Sequence, residues 1–62
     1  MTTVICGRDA CELPDGEKLQ GLLESAGFLF GRSLCADRAL VNRQPALSGG
    51  EVPADATVEV QP

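Results

Sequence analysis

Sixty-two residues, 44% of them hydrophobic and 23% charged, suffice for one small core and leave no room for a second domain. Histidine, tryptophan and tyrosine are absent, so the commonest general base and metal ligand is missing and Phe28 and Phe30 are the whole aromatic complement. Nine acidic residues against five basic ones give a net charge of −4, a surface that repels phosphate backbones, and no nucleic-acid partner is expected.

Met1-Thr2-Thr3-Val4-Ile5-Cys6 has no basic leader ahead of a long apolar run, so no signal peptide is read there. Apolar runs are no longer than Phe28-Leu29-Phe30, far from the roughly 20 residues a membrane span needs, and no membrane association is expected. Three cysteines cannot all close into disulfides, which makes the cytoplasm the simplest compartment.

In chain order, residues 1–6 are β-prone and Cys11-Glu12-Leu13 offers a second strand. With Arg8-Asp9 as a two-residue loop, Cys6 faces Cys11 and Val4 faces Leu13. Thr2, Val4, Cys6, Cys11 and Leu13 then share one face, the core side. Pro14-Asp15-Gly16-Glu17 reads as a helix entry with Asp15 as N-cap. Leu19, Leu22, Leu23 and Ala26 follow at helical spacing, and Gly27 supplies a stop, which predicts a helix over 16–26. Gly21 inside it signals a close approach. Phe28, Leu29, Phe30 and Leu34 are expected to close one end of the core. Arg38 to Asn42 reads as a third strand, Ser48-Gly49-Gly50 and Pro53-Ala54-Asp55-Ala56 as turns, and Thr57 to Gln61 as a last strand with Val58 and Val60 inward.

Hairpin, helix, strand, loop and strand is the order of a β-grasp, or ubiquitin-like, domain, here spanning 1–62 as a single α+β unit. Pro14-Asp15-Gly16 with Leu19, Leu22-Leu23 and Ala26-Gly27 resembles the helix of the small sulfur carriers of thiamine and molybdopterin biosynthesis. Ala39-Leu40-Val41-Asn42 is similar to their third strand and its turn, and Ala54 to Val60 to their last turn and strand. The resemblance, shared with bacterial ubiquitin-like modifiers, implies a mixed sheet packed on one helix, with the first and last strands parallel at its centre.

It also implies a function: a non-enzymatic protein that docks on a larger enzyme, an E1-like adenylating or E2-like partner, as a modifier- or carrier-type substrate. Such carriers work through a tail ending in Gly-Gly. Val60-Gln61-Pro62 stands about where that tail begins, and Gly49-Gly50 precedes a strand and reads as a turn. The alternative is a β-grasp interaction or regulatory subunit without tail chemistry, a monomer or part of a hetero-complex.

The chemical candidates are few. Cys6-x4-Cys11 is similar to the first spacing of plant-type iron–sulfur sites, but the Cys-x2-Cys that should follow is absent, with Cys35 the only other thiol. Paired zinc knuckles are missing too, so no metal or other cofactor is expected. Cys6 and Cys11 remain a candidate redox pair, predicted to lie side by side and reduced. The carboxylates and serines are scattered, with no histidine to activate a hydroxyl. A β-grasp sheet is covered by its helix on one face only. Ile5 and Leu40, with acidic Glu12 and Glu59 beside them, fall on the other face and make a candidate docking patch, with Gln61 and Pro62 at the C-terminal strand end as a second contact.

Overall fold

A computed structural model describes residues 1–45 and 50–61. The chain forms β1 (Thr2–Cys6), β2 (Asp9–Leu13), α1 (Leu19–Phe30), a 3₁₀ turn (Ala36–Arg38), β3 (Ala39–Val41), β4 (Gln44–Pro45) and β5 (Thr57–Val60). The strands make one mixed sheet in the order β2-β1-β5-β3-β4, with β1 and β5 parallel and the other neighbours antiparallel. The result is a small α+β fold, one sheet packed on one helix, compatible with a β-grasp. Among the described residues, no helix is long and apolar enough to cross a membrane.

Alternation of side chains fixes the two faces of the sheet. Thr2, Val4 and Cys6 of β1 and Val58 and Val60 of β5 are buried against Leu19, Leu22, Leu23 and Ala26 of α1. Val4, Ala26 and Val58 are 0% exposed. Val41, expected in the core, is partly buried and packs on its margin.

The first hairpin turns one residue earlier than Arg8-Asp9 predicts. Gly7 takes a φ of +62°, which a glycine adopts at no steric cost, so Gly7-Arg8 is the loop. Cys6 therefore opposes Asp9, and Cys11 opposes Val4. The register moves by two, so Cys11 and Leu13 keep the core-facing side. The expected side-by-side arrangement of Cys6 and Cys11 is replaced by a diagonal one.

The helix is displaced toward the C-terminus relative to 16–26. Asp15 does not cap it, because its carboxylate is occupied elsewhere. Oδ1 accepts from the Thr2 hydroxyl at 2.9 Å and from the Asp55 N–H at 3.2 Å, and Oδ2 meets the Met1 ammonium at 3.1 Å. Lys18 occupies the N-cap position with no side-chain bond, and the Leu19 N–H donates instead to the Gly50 carbonyl at 2.7 Å. Gly50, at φ +69°, thus works from a distant loop as the helix cap.

At the other end Gly27 does not stop the helix. It is buried inside it, and Gly31, at φ +71°, is the left-handed terminator. The Arg32 N–H donates to the Gly27 carbonyl at 3.0 Å, the long bond of a Schellman ending. The extra turn carries Phe28 and Leu29 off the apolar stripe, and they stand 88% and 60% exposed instead of closing the core. Phe30, four residues after Ala26, returns to the stripe and packs against the core with Leu34.

Asn42 and Arg43 both have positive φ, +50° and +67°, the signature of a type I′ hairpin loop. That loop folds Gln44-Pro45 back as β4, an edge strand the sequence reading treats as loop. Asn42 also extends the sheet. Its N–H donates to the Thr57 carbonyl at 2.8 Å, and its Oδ1 accepts from the Thr57 N–H at 3.0 Å.

Candidate functional site

Outward positions of neighbouring strands fall into register. Ile5 pairs with Glu59 across β1 and β5, Glu59 with Leu40 across β5 and β3, Ile5 with Ala10, and Leu40 with Pro45. A single row, Ala10-Ile5-Glu59-Leu40-Pro45, therefore crosses all five strands on the face that α1 leaves uncovered. One carboxylate sits in it between two branched apolar side chains. Ile5, Glu59 and Leu40 are each half-buried by their neighbours. The adjoining row is polar: Glu12 pairs with Thr3, and Thr3 with Thr57.

The row ends at a shallow cleft of about 290 Å³ lined by Leu40, Pro45, Asp37, Arg38 and Gln61 among others. Gln61 is exposed beside it, its N–H donating to the Arg38 carbonyl at 3.1 Å. Ile5, Leu40, Glu59 and Gln61, singled out separately in the sequence, thus occupy one continuous stretch of surface. Pro62, proposed with them, lies outside the described residues, as does Gly49 of Gly49-Gly50. Pro45 and Arg38 were not foreseen at this surface. The two-residue gap Asn42-Arg43 between Val41 and Gln44 is the signal that places Pro45 there.

The thiols are arranged differently from the expected pair. All three cysteines are free, with Cys6 buried, Cys11 half-buried and Cys35 exposed. Burial pushes the Cys11 thiol up from its ordinary value. Cys6 Sγ accepts from Arg32 Nη1 at 3.7 Å, and the same guanidinium bridges Asp9 through Nη2 at 3.3 Å. No group of three histidine, cysteine or acidic side chains among the described residues is placed to hold a metal ion.

A second charged cluster joins the two ends of the fold. The Asp15 carboxylate is held below its ordinary range by the Asp55 N–H first, then by the Met1 ammonium and the Thr2 hydroxyl. The ammonium is raised in turn, first by Asp55 at 2.8 Å and then by Asp15. Each of these groups already answers another, so the cluster ties the starts of β1 and β5 to the segment that follows β2.

No family model, curated protein or solved structure matches the chain. The surface geometry itself therefore carries the functional argument.

Proposed function

We propose that this chain is a ubiquitin-like protein of the β-grasp type, resembling the small sulfur carriers, that docks through its helix-free sheet face on an E1-like adenylating or E2-like enzyme. The in-register row Ile5-Glu59-Leu40 is the observation that supports this reading. It presents two apolar anchors, Ile5 and Leu40, flanking a central carboxylate that a basic partner side chain would pair with. The net charge of −4 favours a basic partner surface, which steers association and makes it salt-sensitive.

The test is titration of the chain against an E1-like adenylating enzyme from the same cell, with Leu40→Ala and Glu59→Lys in parallel. Leu40→Ala is expected to raise Kd about tenfold, mostly through faster dissociation, as truncation of a central apolar anchor does. Glu59→Lys is expected to slow association and weaken its salt dependence. Wild-type binding by both variants would place the interface elsewhere, and no binding by the wild type would remove the proposed enzyme class. Pyrophosphate exchange that depends on the chain marks a carrier or modifier, whereas binding without exchange marks a regulatory subunit.

A further inference from the structure

The two edges of the sheet are not alike. β4 is two residues long, and its Pro45 has no N–H to offer a further strand. β2 is five residues long, pairs with β1 without a bulge, and carries neither proline nor glycine. The Thr3 N–H donates to the Ala56 carbonyl at 3.0 Å, away from β2. Thr3 with Glu12 and Ile5 with Ala10 are therefore the non-hydrogen-bonded pairs of the hairpin. It follows that the N–H and C=O groups of Ala10 and Glu12 point out of the edge, and both residues are exposed. Among the described residues no strand pairs with that edge, and neither Arg8 nor Glu12 has a side-chain hydrogen bond or ion pair.

We propose that the edge of β2 pairs antiparallel with the same edge of a second copy, Ala10 lying opposite Ala10 at the two-fold axis. In such a seam opposed residues share a face, and the outward-bonding residues must oppose one another. The two-fold registers that satisfy both conditions within β2 are Ala10 with Ala10, Ala10 with Glu12, and Glu12 with Glu12. Each copy carries −4, so like charges at the seam decide between them. The register of Glu12 on Glu12 opposes two carboxylates directly, and the mixed register leaves them as diagonal neighbours, still within reach. The register of Ala10 on Ala10 separates them. It brings exposed Arg8 of each copy opposite Glu12 of the other, two complementary pairs about a small apolar centre. On the helix side Asp9 falls opposite Cys11, with its charge already met by Arg32 at 3.3 Å. The sheet then runs on through both copies, with the two outer rows on one side and both helices on the other. Ile5, Glu59 and Leu40 take no part in the seam, so it stands or falls separately from the docking proposed above.

Sedimentation equilibrium of the wild type from about 10 µM to about 1 mM should show a reversible monomer–dimer equilibrium, the range suited to so small a seam. Arg8→Glu and Glu12→Arg should each raise Kd about tenfold or more, because each turns two attractive pairs into repulsive ones. General repulsion predicts the reverse for Glu12→Arg, which moves the net charge toward zero and would tighten association. The double variant Arg8→Glu/Glu12→Arg restores opposite charges and should return Kd to within about threefold of the wild type. Ala10→Pro removes the central N–H at an edge position that tolerates proline, so it should keep the circular dichroism spectrum and lose the dimer. The charge exchange reads the seam without touching the backbone. A wild type monomeric throughout, tighter association by Glu12→Arg, a double variant no better than the single ones, or a folded Ala10→Pro that still dimerises would each overturn the proposal.

Discussion

Replacing Gly27 by alanine should destabilise the protein, although the same exchange in an ordinary helix interior stabilises by about 1 kcal/mol. A Cβ on Gly27 would stand 2.6 Å from the Arg32 carbonyl oxygen, closer than real Cβ atoms come. That oxygen belongs to main chain fixed by the Schellman ending at Gly27 and Gly31, so the clash is relieved only by lifting the following segment off the helix. Overpacking against an unyielding neighbour costs about 1–3 kcal/mol. With a contact this short the upper end applies, and the net loss after the propensity gain is about 2 kcal/mol. For a domain of this length that is a large part of roughly 3–9 kcal/mol, and it lowers Tm by roughly 8–16 °C. Gly21→Ala in the same helix is the comparison. Its Cβ would meet Glu17 Oε2 at 3.0 Å, the far end of a side chain free to swing away, so the gain of about 1 kcal/mol should survive. Without tryptophan or tyrosine, urea and thermal unfolding are best followed by far-ultraviolet circular dichroism. If Gly27→Ala is as stable as the wild type, the close approach of helix and segment has been misjudged.

Arg43 sits at φ +67° in the type I′ loop, where a side chain is strained, so Arg43→Gly should stabilise by up to about 1 kcal/mol in the same melts. A loss would mean that the loop takes another form. For Asp15 the folded value is depressed, so its contribution is fully present above the ordinary aspartate value and is lost as pH falls through the folded one. Stability measured against pH should therefore decline on the acid side. Asp15→Asn should be less stable than the wild type near neutrality and should flatten that decline, and an unchanged slope would remove Asp15 from the acid response.

Binary pattern carried most of the architecture. Val58 and Val60 alternate with Thr57 and Glu59, and Leu19, Leu22, Leu23 and Ala26 keep helical spacing, so both faces of the contact between sheet and helix could be read from the chain. The errors arose where one residue type serves two purposes. Gly27 looks like a terminator, yet its missing side chain admits the Arg32 carbonyl. Asp15 looks like an N-cap, yet Thr2 and Asp55, distant in sequence, claim its carboxylate. A local pattern cannot report a partner many residues away. The outer row was legible in part, since alternation puts Ile5, Leu40 and Glu59 outward, but their alignment depends on strand register.

The position of β5 governs when the molecule can come into being. It lies between β1 and β3, so the hairpin β1-β2 and the hairpin β3-β4 share no ladder until β5 separates and joins them. During translation at about 5–20 residues per second, everything up to Asp55 emerges before the strand that completes the sheet. Val4 and Cys6 must then wait for partners made after the other four strands, and the pairing of Val4 with Val58 closes a loop that contains the helix and the strands between them. Completion of the sheet is thereby deferred until β5 has been made. Until then the nascent chain presents an unfinished sheet edge, a natural substrate for holding chaperones and for proteases alike.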